Sequence, residues 1–229
     1  MWPWSRRVDV VQSWPGEWPL RLTGRTPSGV AVILRPLRLD DEAAYLAVRR
    51  DNVDWLGPWD ATAPRPTPTT RSFGDLVAHH EAEAAQGRSL PFVVEVDGEF
   101  VGQLNVSNIV RGSFWSCAMG YWVARAWAGQ GITPTAVAMA GDHCFGVLGL
   151  HRIEINIRPE NVASLAVVRK LGLRDEGLRP RYLHIDGDWR DHRSFAVTAD
   201  ELGGSTLRER LTQSSQQSLL RHTDPAPQG

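Results

Sequence analysis

Residues 118 to 136 read AMGYWVARAWAGQGITPTA and join an apolar strand to the start of a helix through a glycine-rich turn. Gly129 and Gly131 carry no Cβ atom, so consecutive backbone N–H groups can approach a ligand closely there. The positive end of the helix dipole favours an anion at the same place. Pro134 suits the first turn of a helix, where its missing N–H has no partner in any case. The stretch therefore predicts a helix that begins near Gly131 and a site for a phosphate-bearing ligand.

Two common phosphate-binding motifs do not fit this turn. A P-loop needs a Lys-Ser or Lys-Thr pair after its last glycine, whereas Ile132 and Thr133 follow Gly131. A dinucleotide fingerprint needs a third glycine at the position that Pro134 occupies. Taken alone, the stretch also fits an ordinary strand–turn–helix junction without a ligand.

A second informative segment, residues 152 to 177, reads RIEINIRPENVASLAVVRKLGLRDEG. Polar and apolar side chains alternate at its start, as in a strand with one buried face. Asn161 is a preferred N-cap residue, and an apolar stripe follows it at helical spacing: Leu165, Val168 and Leu171. Gly172 is the residue type favoured just after a helix end. The segment predicts a strand, a turn, a short helix and a stop.

Together the two segments resemble the acyl-CoA-binding regions of the GNAT acetyltransferase superfamily. The first motif of that family is Gln/Arg-x-x-Gly-x-Gly/Ala, and Gly129 and Gly131 occupy its glycine positions. Ala126 stands where Gln or Arg is usual, with Arg125 one residue earlier. The second segment is similar to N-x-x-[AS]-x-x-[VL]-x-x-K-x-G-[FL]. The likeness spans residues 90 to 200 and is strongest for ribosomal-protein alanine N-terminal acetyltransferases, the Rim type.

The resemblance implies an α/β GNAT fold: a mixed, mostly antiparallel, twisted sheet that splays at the acyl-CoA site, with helices on both faces. It implies acetyl-CoA as the acyl donor and no metal. A backbone N–H near Val123 would stabilise the oxyanion formed when an amine attacks the acetyl group. The residues that the resemblance places against acetyl-CoA are Trp122, Val123, Arg125, Ala128, Gly129, Gln130, Gly131, Ile132, Thr133, Asn161 and Ser164.

The resemblance also implies three catalytic candidates, Ser164, Asn156 and Glu154. The hydroxyl of Ser164 would face the CoA sulfur as general acid; a serine that only satisfies nearby backbone is the alternative. Some relatives carry a glutamate where this chain has Asn156, which cannot accept a proton. Glu154 is the nearest carboxylate on the same face, and its alternatives are a surface role and proton transfer to ordered water. Such a weak base suits an α-amine, with a pKa of about 7.8, better than a lysine.

The acceptor side is expected to involve Trp55 and Trp59, which flank a Leu-Gly-Pro turn after the first predicted helix, together with Tyr182. The tryptophans would line a peptide groove or plug the loop onto the core. We expect the acceptor to be a protein or peptide N-terminus, with a ribosomal protein as one candidate. A small-amine acetyltransferase and a non-catalytic acyl-CoA-binding module are the alternatives.

Composition sets further expectations. The chain has 229 residues, a net charge of −1 and a pI near 6.7, which give no general attraction to nucleic acid or an anionic membrane. No apolar stretch approaches the length of a membrane span, and a cytoplasmic location is expected. Cys117 and Cys144 are expected to be buried thiols in a reducing compartment, and the histidines show no metal-ligand spacing. A homodimer is a further candidate assembly.

Three regions are expected along the chain. A Trp- and Pro-rich arm over residues 1–19 would cover its own domain or a partner subunit with Trp2, Trp4, Trp14 and Trp18. The acetyltransferase domain spans residues 20–202, and a polar tail over residues 203–229 holds at most one weak helix. Within the domain the predicted elements are a hairpin over 20–37, a helix capped by Asp40, a loop over 56–70, a helix from Ser72 to Gly87 and a meander ending at Val123, with Asp97-Gly98 and Asp186-Gly187 as tight turns.

Overall fold

The structure is a computed structural model that describes residues 18–65 and 72–223. The predicted arm residues Trp2, Trp4 and Trp14 lie outside these ranges. The strands are β1 (Leu22–Arg25), β2 (Ala31–Pro36), β3 (Leu90–Val96), β4 (Glu99–Val110), β5 (Ser116–Val123), β6 (Arg152–Ile157), β7 (Arg174–Ile185) and β8 (Asp188–Thr198). The helices are α1 (Glu42–Asp51), α2 (Val53–Leu56), α3 (Phe73–Ala85), α4 (Ile132–Gly146), α5 (Val162–Lys170), α6 (Ala199–Leu202) and α7 (Leu207–Thr223).

The described strands form one eight-stranded sheet in the order β1-β2-β3-β4-β5-β6-β8-β7. Neighbouring strands run antiparallel except β5 and β6, which are parallel. The parallel pairing covers only three residue pairs, from Ser116 with Arg152 to Ala118 with Glu154. Beyond Ala118, β5 continues to Val123 without pairing to β6. We call this opening between the second half of β5 and β6 the splay.

Helices cover both faces of the sheet. Residues of α4, α5 and α7 share one apolar core with β5 and β6, whereas α1 and α3 pack against a second cluster around Val93 and Phe100. Because side chains alternate along a strand, Tyr121 and Val123 face the α4 side and Trp122 faces the α1 and α3 side. This architecture confirms the α/β fold expected from the sequence.

Several local expectations are also confirmed. The helix after the glycine-rich turn begins at Ile132, and its N-cap Gly131 has a φ of 78°. Ser72 caps α3 by accepting a hydrogen bond from the backbone N–H of Asp75 at 3.1 Å. Tight turns join β3 to β4 and β7 to β8 at the two Asp-Gly pairs. Cys117 and Cys144 are buried.

The first helix does not begin as predicted, because Asp40 makes no cap. A 3₁₀ turn over Leu39–Asp41 precedes α1 instead. The carboxylate of Asp41 accepts hydrogen bonds from the backbone N–H of Arg38 and from both terminal nitrogens of the buried Arg35, all at 2.8 Å. Arg35 lies on β2, so the ion pair depends on packing that the local sequence does not report.

The segment after α2 is more ordered than a proline-rich loop. Residues Gly57–Trp59 form a 3₁₀ turn, and Ala61 pairs with Ile185 of β7 in an isolated bridge. The end of the predicted loop, residues 66–70, lies outside the described ranges.

The packed core continues past the predicted domain end at residue 202. Helix α7 places Leu207 and Leu211 in the main core, where they are 1% and 4% exposed. The backbone N–H of Leu207 also donates to the carboxylate of Asp142 on α4 at 2.7 Å. Residues 207–223 are therefore the helix that the sequence allowed, but it is docked on the core. No helix among the described residues is long and apolar enough to cross a membrane.

Candidate active site

A cavity of about 710 Å³ lies at the splay and is lined from both faces of the sheet. This volume is in the range typical of small-molecule and cofactor sites. From the α4 side it is lined by Tyr121, Val123, Ile132, Ser164 and Val167, and from the other side by His80, Gln103, Asn105, Gly120 and Trp122. The cavity therefore joins the two faces at the place where β5 and β6 separate.

The glycine-rich turn forms one wall of this cavity. Gly129 and Gly131 have φ values of 80° and 78°, in the left-handed region that glycine tolerates best. The first N–H groups of α4 have no intrahelical acceptor and point out of the helix end, where an anion is stabilised. The N–H of Ala128, in contrast, already donates to the carbonyl of Arg125 at 3.1 Å. The donors available to a phosphate therefore begin after Ala128.

Most residues predicted to contact acetyl-CoA line the cavity: Trp122, Val123, Ala128, Gly129, Gly131, Ile132, Thr133, Asn161 and Ser164. Two do not. Arg125 lies outside, with its guanidinium 5.8 Å from the ring centroid of Trp55, and Gln130 folds back to donate to the carbonyl of Ala126 at 2.9 Å. Both side chains point to neighbouring protein groups that the motif alone does not reveal.

Ser164 lies in the first turn of α5 and lines the cavity. The predicted cap is confirmed, since the side-chain oxygen of Asn161 accepts from the backbone N–H of Ser164 at 3.0 Å. The cap therefore uses the backbone of Ser164 and not its hydroxyl.

Tyr121 was missed as a site residue. It lines the cavity, and its hydroxyl donates to the carbonyl of Ser164 at 3.5 Å. Burial raises the pKa of Tyr121 above its ordinary value, against a smaller opposing effect of that hydrogen bond. Its position within GYWV identifies it as a strand residue, but only the approach of α5 shows that it reaches Ser164.

Glu154 and Asn156 do not line the cavity. Glu154 accepts two hydrogen bonds from Arg179, at 2.7 and 3.0 Å, one from Arg152 at 2.8 Å and one from Asn156 at 2.9 Å. Burial alone would raise the pKa of Glu154, but these hydrogen bonds outweigh it and lower the pKa. Asn156 accepts in turn from the hydroxyl of Ser194 at 2.6 Å. The side chains of Glu154 and Asn156, both predicted to be catalytic, are thus bound to each other and to neighbouring strands.

Segment 52–62, which contains the short helix α2 and the 3₁₀ turn after it, spans the open end of the splay. On the β5 side, the indole N–H of Trp55 donates to the carbonyl of Val123 at 3.0 Å, and Asn52 accepts from the backbone N–H of Arg125 at 2.8 Å. On the β6 side, Arg158 donates to the carbonyl of Pro58 at 2.7 Å and lies 5.3 Å from the ring centroid of Trp59. Segment 52–62 therefore contacts the ends of both strands that the splay separates.

Both predicted acceptor-side tryptophans, Trp55 and Trp59, are half-buried and line the cavity. Tyr182 does not; it is 36% exposed on β7, and its hydroxyl accepts from Arg179 at 3.0 Å. In the described part of the chain, no group of three or more His, Cys, Asp and Glu side chains is placed to hold a metal ion.

The contact between Trp55 and Val123 gives a first prediction. Trp55→Phe keeps an aromatic ring but removes the N–H, so we expect the free energy of unfolding to fall by about 1 to 2 kcal/mol. Urea unfolding would measure it. Trp59→Phe is the matched control, because the contact of Trp59 with Arg158 needs only an aromatic face. The free energy of unfolding should fall by less in this variant. An equal loss in both variants would contradict a specific role for the Trp55 hydrogen bond.

A sheet that opens at a parallel strand pair, next to unpaired helix donors and a serine hydroxyl, is suited to holding an acyl-CoA along the splay. The class defined by this fold and site is that of acyl-CoA-dependent acyltransferases. The family model described as Acetyltransferase (GNAT) domain matches residues 31–174, and the chain belongs to this family.

The relatives are consistent with this assignment. RimJ from Mycobacterium smegmatis, solved in complex with CoA-disulfide, is 42% identical with a TM-score of 0.79, and the match covers 86% of this chain and 96% of that one. The [Ribosomal protein uS5]-alanine N-acetyltransferase of Escherichia coli is 39% identical over 103 residues, 45% of this chain and 53% of the relative. The spermidine N(1)-acetyltransferase of the same organism is 27% identical over 168 residues, 72% of this chain and 84% of the relative. The protein is an N-acetyltransferase that uses acetyl-CoA, and the resemblance to the Rim type is confirmed.

Proposed function

We propose that the protein transfers an acetyl group from acetyl-CoA to the N-terminal amine of a protein or peptide, of the ribosomal-protein type, in the cytoplasm. One relative, from Escherichia coli, is named as an alanine N-acetyltransferase of ribosomal protein uS5, and this name supports the acceptor class. The spermidine acetyltransferase relative makes a polyamine the second candidate acceptor.

The state of the carboxylates in the cavity favours a peptide over a polyamine. A polyamine carries several positive charges, which a binding site must match with free carboxylates. Asp60 lines the cavity but forms a two-pronged ion pair with Arg49, and Glu160 accepts from Arg158 at 3.2 Å. The rest of the acceptor side presents aromatic rings and neutral amides, which suit a peptide chain with one terminal amine.

The residues of this chain have the following proposed roles. The backbone N–H groups between Gly129 and Thr133 would hold the phosphates of acetyl-CoA, which supplies an activated thioester. A backbone N–H near Val123 would stabilise the developing oxyanion. The hydroxyl of Ser164 would give a proton to the departing sulfur. The backbone carbonyl of Ser164 accepts a hydrogen bond from Tyr121, which would keep the residue in place. Trp55 and Trp59 would form the acceptor wall.

The acceptor class is tested by a panel of amines. Purified enzyme with acetyl-CoA is offered peptides that begin with alanine or serine, a peptide whose only free amine is a lysine side chain, and spermidine, and CoA release is measured. We expect kcat/KM to be highest for a peptide N-terminus and to rise with pH up to about 8, because the α-amine loses its proton near that pH. A spermidine rate well above every peptide would replace the proposed acceptor by a polyamine.

A further inference from the structure

The proton acceptor of the reaction has no place among the predicted catalytic residues, since Glu154 lies outside the cavity and is bound by four hydrogen bonds. A base has to reach the attacking amine, so it should be sought among the ionisable residues that line the cavity. These are Asp60, His80, Tyr121, Glu160 and Lys170.

Four of these five residues are poorly suited to accept a proton. The carboxylates of Asp60 and Glu160 are paired with arginines. Tyr121 is a hydroxyl whose pKa is raised by burial, so it holds its proton. Lys170 has an ammonium group, a side chain that offers hydrogen-bond donors and no acceptor.

His80 is the residue that is left. It lies on α3 and lines the cavity on the acceptor side together with Gln103 and Asn105 of β4. Its Nδ1 atom is buried and has no hydrogen-bond partner among the described residues. Buried polar atoms are nearly always paired in folded proteins, so the ring is held by no protein group where one would be expected. Because Nδ1 is buried, Nε2 is the ring nitrogen that a molecule in the cavity can reach.

The surroundings of His80 keep its ring neutral. Burial, and to a smaller extent the neighbouring His79, lower the pKa of His80 below its ordinary value. The other ionisable groups at the cavity are the paired carboxylates of Asp60 and Glu160, the phenol of Tyr121 and the cation of Lys170. A neutral imidazole has one nitrogen with a free lone pair, as a base requires.

We propose that His80 is the general base of the acetyl transfer, accepting the proton of the attacking amine on Nε2. The amine nitrogen forms the new C–N bond with the acetyl carbon, and its proton passes to Nε2 of a ring whose hydrogen is on Nδ1. The C–S bond breaks with its electron pair remaining on sulfur, which takes a proton from the Ser164 hydroxyl. His80 then releases its proton to solvent, and the Ser164 oxygen takes one back from solvent. The inference rests on N-acetyl transfer as such and not on the identity of the acceptor.

The test compares His80→Gln and His80→Ala with the matched control His79→Ala, the adjacent but exposed histidine of the same helix. The assay uses whichever amine the native enzyme acetylates fastest, so a wrong acceptor proposal does not affect the outcome. We expect His80→Gln to lower kcat about 100-fold with little change in KM for acetyl-CoA. Added imidazole should restore part of the activity of His80→Ala, and His79→Ala should stay within about twofold of the native enzyme.

The pH profile separates catalysis from packing. The kcat of the native enzyme should fall on the acid side as His80 becomes protonated, below the ordinary histidine pKa, and this limb should be absent from His80→Gln. The proposal is overturned if His80→Gln, folded by circular dichroism, keeps kcat within about threefold of native. A loss without imidazole rescue and with the acid limb intact would assign His80 a packing role, and a comparable loss in Glu154→Gln with native-like His80→Gln would return the base to Glu154.

Discussion

Replacing Gly129 and Gly131 together by valine is expected to abolish the rise in melting temperature that acetyl-CoA causes in the native protein. A ligand that binds only the folded state at 100 times its Kd stabilises it by about 2.7 kcal/mol, which for a domain of this size is roughly 5 to 10 °C. Both glycines have φ near +80°, a conformation that a β-branched side chain strongly disfavours. The variant should therefore lose the arrangement of N–H groups before α4.

The matched control for this experiment is Gly112→Val. Gly112 has a φ of 73° in the turn between β4 and β5, outside the cavity, and a Cβ added there would meet nothing within 4 Å. It introduces the same kind of backbone strain, so the melting temperature without ligand should fall, but the shift with acetyl-CoA should persist. Thermal scans with and without millimolar acetyl-CoA measure both effects. A full shift in the double variant would show that the turn does not hold the phosphates.

Ser164→Ala is expected to lower kcat by about 100-fold while leaving the affinity for acetyl-CoA nearly unchanged. The reason is that only the hydroxyl is removed, whereas the cap from Asn161 uses the backbone N–H of residue 164 and remains. Single-turnover kinetics would show the loss in the chemical step, and calorimetry would show unchanged binding. Native turnover in Ser164→Ala would leave the serine with a structural role alone.

Tyr121→Phe is the comparison that makes this result specific. The hydroxyl of Tyr121 also lies beside Ser164 in the cavity, where it donates to the carbonyl of Ser164. If Ser164 is the acid, Tyr121→Phe should cost less than Ser164→Ala, because it removes only a hydrogen bond that holds α5 against β5. A larger loss in Tyr121→Phe would transfer the role of proton donor to the tyrosine.

Features with local causes could be predicted from the sequence. The start of α4 after Gly131 and the cap at Asn161 each depend on residues within one helical turn, and the period-two burial of β6 follows its alternating side chains. The splay could be expected only through the family resemblance, because the distance over which two parallel strands stay paired is set by distant packing.

Features that depend on partners far along the chain could not be predicted. Glu154 is bound by Arg179, which is 25 residues away, and Trp55 finds its acceptor at Val123, 68 residues away. Similarly, the leucines of α7 look scattered in the sequence, and only the surface of α4 turns Leu207 into a core residue. His80 belongs to no sequence motif, and only its position at the cavity makes it a candidate base.

Because side chains alternate along β5, consecutive residues of this strand line the cavity from opposite faces of the sheet. Gly120 and Trp122 lie on the face that α1 and α3 cover, and Tyr121 and Val123 lie on the α4 face. A shift of one residue exchanges the two faces of a strand completely. A single-residue insertion or deletion in this strand would thus exchange both sets of cavity-lining side chains together, whereas point substitutions at every second position would leave the other set in place. We therefore expect the lining of one face of the cavity to diverge among relatives by substitution, while the length of β5 stays constant.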